Sequence, residues 1–253
     1  MAIFEQPLNE RVRTFLRLQQ LFDRLDHHLQ RAAHWDIHAS VSVLLDVYDL
    51  TVRSDLKSEV MKELDRQRNA LQHFAGATDI DAGQLQQLLE RQAELISLLH
   101  EHKGQISQHI KSNEFLNAVR QRAAVSGIAC THDLPLYHHW LDRPAAECKQ
   151  TIEGWLSPYQ PLRAAINLSL EAIRESVKFR ELTAERGFFQ ESMAGSRPLQ
   201  LVRVQVPREP DLYPEISAGK HRITIRFICH RSANEKPYQA LEDTPFEIAY
   251  CAI

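Results

Sequence analysis

The hydrophobic period of this chain changes near Gly187, and that change limits the folds it can adopt. From about residue 9 to residue 185, apolar residues recur with the 3.6-residue period of amphipathic helices. After Gly187, the segments LQLVRVQV, HRITIRFI and PFEIAYCAI alternate apolar and polar residues, as half-buried strands do. This order predicts an α+β fold, in which a multi-helix α domain is followed by a small antiparallel β-sheet domain.

The N-terminal residues are predicted to join the C-terminal sheet. The segment AIFEQ is strand-like, and it precedes a first helix for which Asn9 is a good N-cap. We therefore predict a helical domain over residues 6–185, and a β domain over residues 1–5 plus 188–253.

Particular residues are predicted to mark the helix ends. Gly104 follows the fourth helical segment and is predicted to end it, because glycine favours helix C-termini. Pro144 suits the start of a later helix. Val177 continues the apolar side of the last helical segment and is predicted to lie within that helix.

Composition and short motifs exclude several classes of function. The chain has 30 Lys+Arg against 33 Asp+Glu, and its pI of about 6.5 argues against nucleic-acid binding over the whole surface. No apolar run is long enough to span a bilayer, and the four cysteines form no CxxC pair, so a cytoplasmic protein is predicted. No P-loop, GxGxxG or GxSxG occurs, so no cofactor is predicted.

The segment THDLPLYHHW is the strongest indication of an enzyme. It places His132, Asp133, His138 and His139 close together in the sequence. Adjacent histidines on a helix point about 100° apart, however, and this segment has no HxxxH or HExxH spacing. Histidine is also a common packing residue. We therefore expect no metal site and no enzymatic activity. An enzyme built around this segment is the least favoured interpretation of the sequence.

Basic residues gather on one face of a predicted strand and on one stripe of the first helix. In the predicted strand KHRITIRF, one side carries Ile223, Ile225 and Phe227. The basic residues are on the other side, and they are Lys220, Arg222 and Arg226. The helical stripe, which has no acidic partner at i+3 or i+4, consists of Arg13, Arg17, Gln20 and Arg24. A single charged stripe is usually a solvated face. Two basic faces in a slightly acidic chain predict a local site for an acidic peptide or a nucleic-acid strand.

A series of motifs in this chain resembles the ZapD family of bacterial cell-division proteins. The motifs follow the family's order and cover nearly the whole chain: FEQPLNERVRTFLRL, LLDV, KELDRQ, AVRQR, HDLPLYHHWL, VKFRE, GFFQ, LYPEIS and KHRITIRF. The resemblance implies a non-enzymatic homodimer that binds the flexible C-terminal tail of FtsZ. It further implies bundling of FtsZ protofilaments, promotion of Z-ring assembly, lowered FtsZ GTPase activity, and recruitment by FtsZ to the mid-cell division site.

The resemblance also implies which residues bind the partner. The family's basic binding positions match Arg17, Arg53, His138, Arg222 and Arg226. Lys220, on the same predicted strand face, is added to this site. The family's basic position ahead of AVRQR falls on Glu114, with Lys111 one turn earlier. FtsZ is thus the expected partner, with no membrane and no nucleic acid, and a nucleic-acid-binding regulator that uses the same basic patch is the alternative.

Overall fold

The structure is a computed structural model, and it describes residues 1–52, 55–73, 81–122, 132–192, 198–207, 211–219 and 221–253. Helices are followed by antiparallel strands, and the N-terminal strand joins one of the sheets. The predicted α+β fold and the predicted pairing of the N-terminal strand are therefore confirmed. The chain forms two compact units, one of residues 1–13 with 170–253 and the other of residues 14–169.

The helices begin at residues that suit helix N-termini. The side chain of Asn9 accepts a hydrogen bond from the backbone N–H of Val12 at 2.9 Å, which makes it the N-cap of the first helix as predicted. Pro144 directly precedes another helix, also as predicted. The helices are α1 Glu10–Leu29, α2 His34–Val52, α3 Leu56–Gln72, α4 Ala82–Glu101, α5 Gln108–Lys111, α6 Glu114–Arg122, α7 Pro135–Leu141, α8 Ala145–Leu156 and α9 Gln160–Glu175.

A buried polar cluster connects two helices of the unit formed by residues 14–169. The side-chain amide of Gln67 on α3 donates to the hydroxyl of Ser169 on α9 at 2.8 Å, and to the carboxylate of Glu63 at 3.1 Å. These three side chains are almost completely buried, and Arg66 pairs with Glu63 from the same helix. Because buried polar groups need partners, this cluster favours one alignment of α3 against α9.

The strands form two antiparallel sheets in the other unit. Their bounds are β1 Ala2–Pro7, β2 Arg180–Ala184, β3 Phe188–Ser192, β4 Leu201–Val206, β5 Leu212–Ala218, β6 Arg222–Cys229, β7 Tyr238–Gln239 and β8 Thr244–Cys251. One sheet has the order β1-β4-β8-β2; the other has the order β3-β6-β5, with β7 also paired to β6. A shared apolar core includes Val204 and Ile248 from the first sheet with Ile225 and Phe227 from the second.

Four details of the predicted elements were wrong. The helical region ends at Glu175 rather than near residue 185, because Arg180–Ala184 forms β2. Val177 consequently lies beyond α9 and is exposed. The fourth helix ends at Glu101, and Gly104 adopts its positive φ of 80° in the following loop. A single small sheet was predicted where the structure has two sheets.

An ion-pair network attaches the N-terminal strand to the rest of its unit. The carboxylate of Glu5 on β1 receives two hydrogen bonds from the guanidinium of Arg174, at 2.8 and 2.7 Å. It also accepts one from Arg203 on β4 at 3.1 Å, and Arg203 donates a further bond to the backbone carbonyl of Arg174. All three side chains are largely buried, so this network is structural.

Replacing Glu5 with alanine should destabilise the protein by about 2 kcal/mol, because it removes the carboxylate that two largely buried guanidinium groups share. Urea unfolding followed by circular dichroism measures this change. Glu94 on α4 offers a matched control, because its ion pair with Arg91 is exposed, and Glu94→Ala should cost no more than about 0.5 kcal/mol. Equal costs for the two variants would show that the Glu5 network does not hold β1.

Candidate partner-binding surface

One side of the sheet formed by β3, β6 and β5 carries the predicted arginines. In an antiparallel pair, directly opposite residues point to the same side of the sheet. Arg226 lies opposite Phe188 on β3 and Glu215 on β5, and Arg222 lies opposite Ser192. We call this side the arginine face; it consists of Phe188, Gln190, Ser192, Glu215, Ser217, Arg222, Thr224 and Arg226.

The alternation of β6 explains why its arginines face outward. Ile223, Ile225 and Phe227 are fully buried in the core, so the intervening side chains must point away from it. Arg222 and Arg226 are exposed, and neither forms an ion pair with any residue that the structure describes. Four positions along a strand separate them by about 13 Å, so their side chains present two distinct positive charges.

A tight turn fixes the end of β3 where Phe188 lies. Arg186 and Gly187 have φ values of 49° and 69°, the signs that a type I′ turn requires. The backbone N–H of Arg186 donates to Asp243 at 2.9 Å, and Gln239 donates to the Arg186 carbonyl at 2.9 Å. These hydrogen bonds hold the backbone of the turn in place just before Phe188. The ring of Phe188 is nevertheless 41% exposed.

The basic stripe of α1 is less uniform than its sequence suggested. Arg17 is exposed and has no ion pair within the described parts of the chain. Arg13, by contrast, pairs with Glu10, so the prediction of an unbalanced stripe was wrong there because the partner lies at i−3. Burial raises the pKa of Asp46 on α2, and the positive charge of Arg24 partly offsets that rise.

His138 belongs to a cluster of aromatic and histidine rings in the helical unit. It is half-buried on α7, its Nδ1 lies 3.6 Å from the Asp142 carboxylate, and its ring centroid is 6.2 Å from that of His34. The Nδ1 of His38 lies 2.8 Å from the hydroxyl of Tyr137. Burial, aided by His34, lowers the pKa of His38, which favours its neutral form. Such contacts are typical of packing histidines.

The other predicted site residues either lie outside the described residues or belong to different parts of the chain. Arg53 and Lys220 lie outside the described residues. Glu114 is exposed at the first turn of α6, where a carboxylate interacts favourably with the helix dipole. Arg17 and His138 belong to residues 14–169, whereas Arg222 and Arg226 belong to the other unit. A single surface shared by all of them stays a prediction.

Phe188 and Glu215 were not predicted as members of the arginine face. Both lie on strands that were not predicted, and their neighbours are set by register across strands rather than by sequence spacing. The only local signal was in GFFQES, where alternation places Phe188 and Phe189 on opposite sides of a strand.

Two observations limit the classes of site on this molecule. Within the described ranges, no three His, Cys, Asp or Glu side chains are arranged to hold a metal ion. In those same ranges, no helix has the length and apolar character needed to cross a membrane.

The structure is that of an α+β protein with two exposed arginines on one face of a sheet. The sequence profile of the ZapD family, described as a cell division protein, matches residues 16–226. A protein named "Cell division protein ZapD" from Methylococcus capsulatus is 38% identical over 251 residues, which cover 99% of this chain and 98% of that protein. The chain belongs to the ZapD family of cell division proteins.

Two further relatives carry the same name. The protein from Nitrosomonas europaea is 36% identical over 251 residues, covering 99% of this chain and 95% of the relative. The protein from an Azoarcus species is 35% identical over 257 residues, covering 100% of both chains. The similarity thus extends over both compact units, and the resemblance seen in the motifs is confirmed.

Proposed function

We propose that this chain is a non-enzymatic cell-division factor that binds the C-terminal tail of FtsZ and cross-links FtsZ protofilaments. Membership of the ZapD family supports a role in cell division. The observation that carries the binding proposal is the exposed pair Arg222 and Arg226, which have no ion pair among the residues described. Unpaired arginines on a rigid strand are available for carboxylates of a partner.

The chemistry of the arginine face suits a short acidic segment. Each guanidinium can grip a carboxylate with two parallel hydrogen bonds. Because the two arginines are about 13 Å apart along β6, an extended peptide with two separated acidic residues could engage both at once. Strand β6 is central in its sheet, which holds both side chains on a fixed backbone and lowers the entropy cost of binding.

Bundling requires that one particle hold tails from two filaments. We propose a homodimer, in which each copy contributes one tail site. A filament displays many tails, so linked sites raise the overall binding strength well above that of one contact. Binding through FtsZ would also recruit the protein to mid-cell, and lateral contacts between filaments would lower FtsZ GTPase activity.

Co-sedimentation with purified FtsZ and GTP tests this function. We expect this protein to pellet together with FtsZ filaments, and to remain in the supernatant when FtsZ lacks its C-terminal tail. Pelleting that does not depend on the tail would contradict the proposed site. A shift of labelled oligonucleotides without pelleting would instead favour the nucleic-acid-binding alternative.

A further inference from the structure

We propose that Phe188 forms an apolar subsite beside Arg226, so that the arginine face selects peptides carrying a large apolar side chain next to a carboxylate. Glu215, on the other side of Arg226, directs the peptide carboxylate toward Phe188. This inference rests on the proposed function, because it describes the specificity of the same binding site.

The two adjacent phenylalanines of β3 have different environments. The next residue, Phe189, points into the core and packs against Phe246 with ring centroids 5.2 Å apart. Phe188 projects to the opposite side and leaves 41% of its surface exposed. The turn at Gly187 and the pairing with β6 hold its backbone in place. An exposed aromatic ring on a fixed backbone is a ready apolar contact for a partner.

The position of Phe188 connects this apolar contact with the arginine pair. Directly opposite residues of antiparallel strands have Cβ atoms about 4.5–5.5 Å apart, so the ring of Phe188 adjoins the stem of Arg226. A carboxylate bound to Arg226 would therefore lie near the ring. Apolar burial at Phe188 would also exclude water from that ion pair, which strengthens it.

Glu215 makes the site asymmetric. It lies directly opposite Arg226 on β5, yet the two form no ion pair in the structure. Its charge repels a peptide carboxylate that approaches from the β5 side and leaves the β3 side as the favoured approach. In an extended peptide, side chains two residues apart project to the same side about 7 Å apart. The preferred ligand therefore has an acidic and a large apolar residue at positions i and i+2.

Fluorescence anisotropy with labelled peptides tests this specificity. The probes are a peptide copying the FtsZ tail, a designed peptide with Asp and Leu at alternate positions, and the same designed peptide with Ser in place of Leu. Phe188→Ala should weaken the first two about tenfold, because it removes the buried ring surface. It should change binding of the Ser peptide by less than about twofold.

Control variants distinguish the proposed roles of Phe188 and Glu215 from general effects of losing an exposed aromatic ring or a negative charge. Tyr238→Ala is the control for Phe188→Ala. Tyr238 is 40% exposed on the same sheet, but it lies opposite Cys229, which points inward, so it is not part of the arginine face. The Tyr238→Ala variant should bind the peptides like the wild type. Glu215→Gln should tighten binding about threefold by removing the repelling charge. Glu181→Gln makes the same charge change on the other sheet and should have no effect.

The outcomes distinguish this inference from the proposed function. If the FtsZ tail binds through Arg222 and Arg226 but Phe188→Ala binds it like the wild type, the apolar subsite is wrong and the proposed function stands. If the Asp-Leu peptide binds in a Phe188-dependent manner while the FtsZ tail does not bind, the subsite is right and the proposed function is wrong. If no peptide binds, both are overturned.

Discussion

Replacing Gly187 with alanine should lower the free energy of unfolding by about 2–5 kcal/mol. Gly187 has a φ of 69°, which costs a residue with a Cβ atom about 1–2 kcal/mol. The added Cβ would also lie 2.7 Å from the backbone carbonyl oxygen of Ala240, and such overpacking costs about 1–3 kcal/mol more. Urea unfolding followed by circular dichroism measures the loss.

Gly154 provides a control for this substitution. It lies within helix α8, and a Cβ there would meet no other atom within 4 Å. Gly154→Ala should therefore stabilise the protein by about 0.5–1 kcal/mol, because alanine has the higher helix propensity. If Gly187→Ala were as well tolerated as Gly154→Ala, the turn that precedes Phe188 would not have the geometry described above.

Replacing both Arg222 and Arg226 with alanine should weaken binding of an FtsZ-tail peptide about 30- to 150-fold. Each arginine supplies a charge-assisted contact of about 1–1.5 kcal/mol at an exposed site, and the two contacts are far enough apart to add. The thermal unfolding curve should stay nearly unchanged, because exposed substitutions usually alter stability by no more than about 0.5 kcal/mol. Isothermal titration calorimetry measures the affinity.

A second double variant controls for the loss of positive charge. Arg231 and Lys236 are exposed in the same compact unit but lie outside the arginine face. Replacing both with alanine removes the same formal charge and should reduce tail affinity by less than about threefold. Unfolding of the Arg222 and Arg226 double variant would mean that these arginines are structural, and that the arginine face is not a binding surface.

Local patterns predicted the elements whose signals lie within their own sequence. Strand β6 was predicted because three apolar residues, which the structure buries fully, alternate with polar ones, and the start of α1 because Asn9 is a strong N-cap. Strand β2 was missed because its five residues, mostly exposed, show little alternation. Strand β5 was not predicted, because it contains Pro214, which is tolerated where a strand lies at the edge of a sheet.

The residues of the candidate site likewise include some that local sequence predicts and others that depend on tertiary structure. Arg222 and Arg226 could be identified from the alternation of one strand. Phe188 and Glu215 become neighbours of Arg226 only through the register of three strands, which depends on packing against the sheet formed by β1, β4, β8 and β2. Likewise, the Glu10 partner of Arg13 and the network around Glu5 depend on side-chain geometry that periodicity does not contain.

The dependence of tail binding on salt tests the central claim most directly. The FtsZ-tail peptide is titrated into the wild type and the Arg222 and Arg226 double variant at several salt concentrations. The Debye length falls from about 10 Å at 0.1 M to about 3 Å at 1 M, so pairing between exposed arginines and carboxylates is progressively screened. We predict that wild-type affinity falls steadily with salt, and that the double variant shows a shallower slope. An affinity that does not change with salt would contradict the claim that the arginine face binds the tail through its carboxylates.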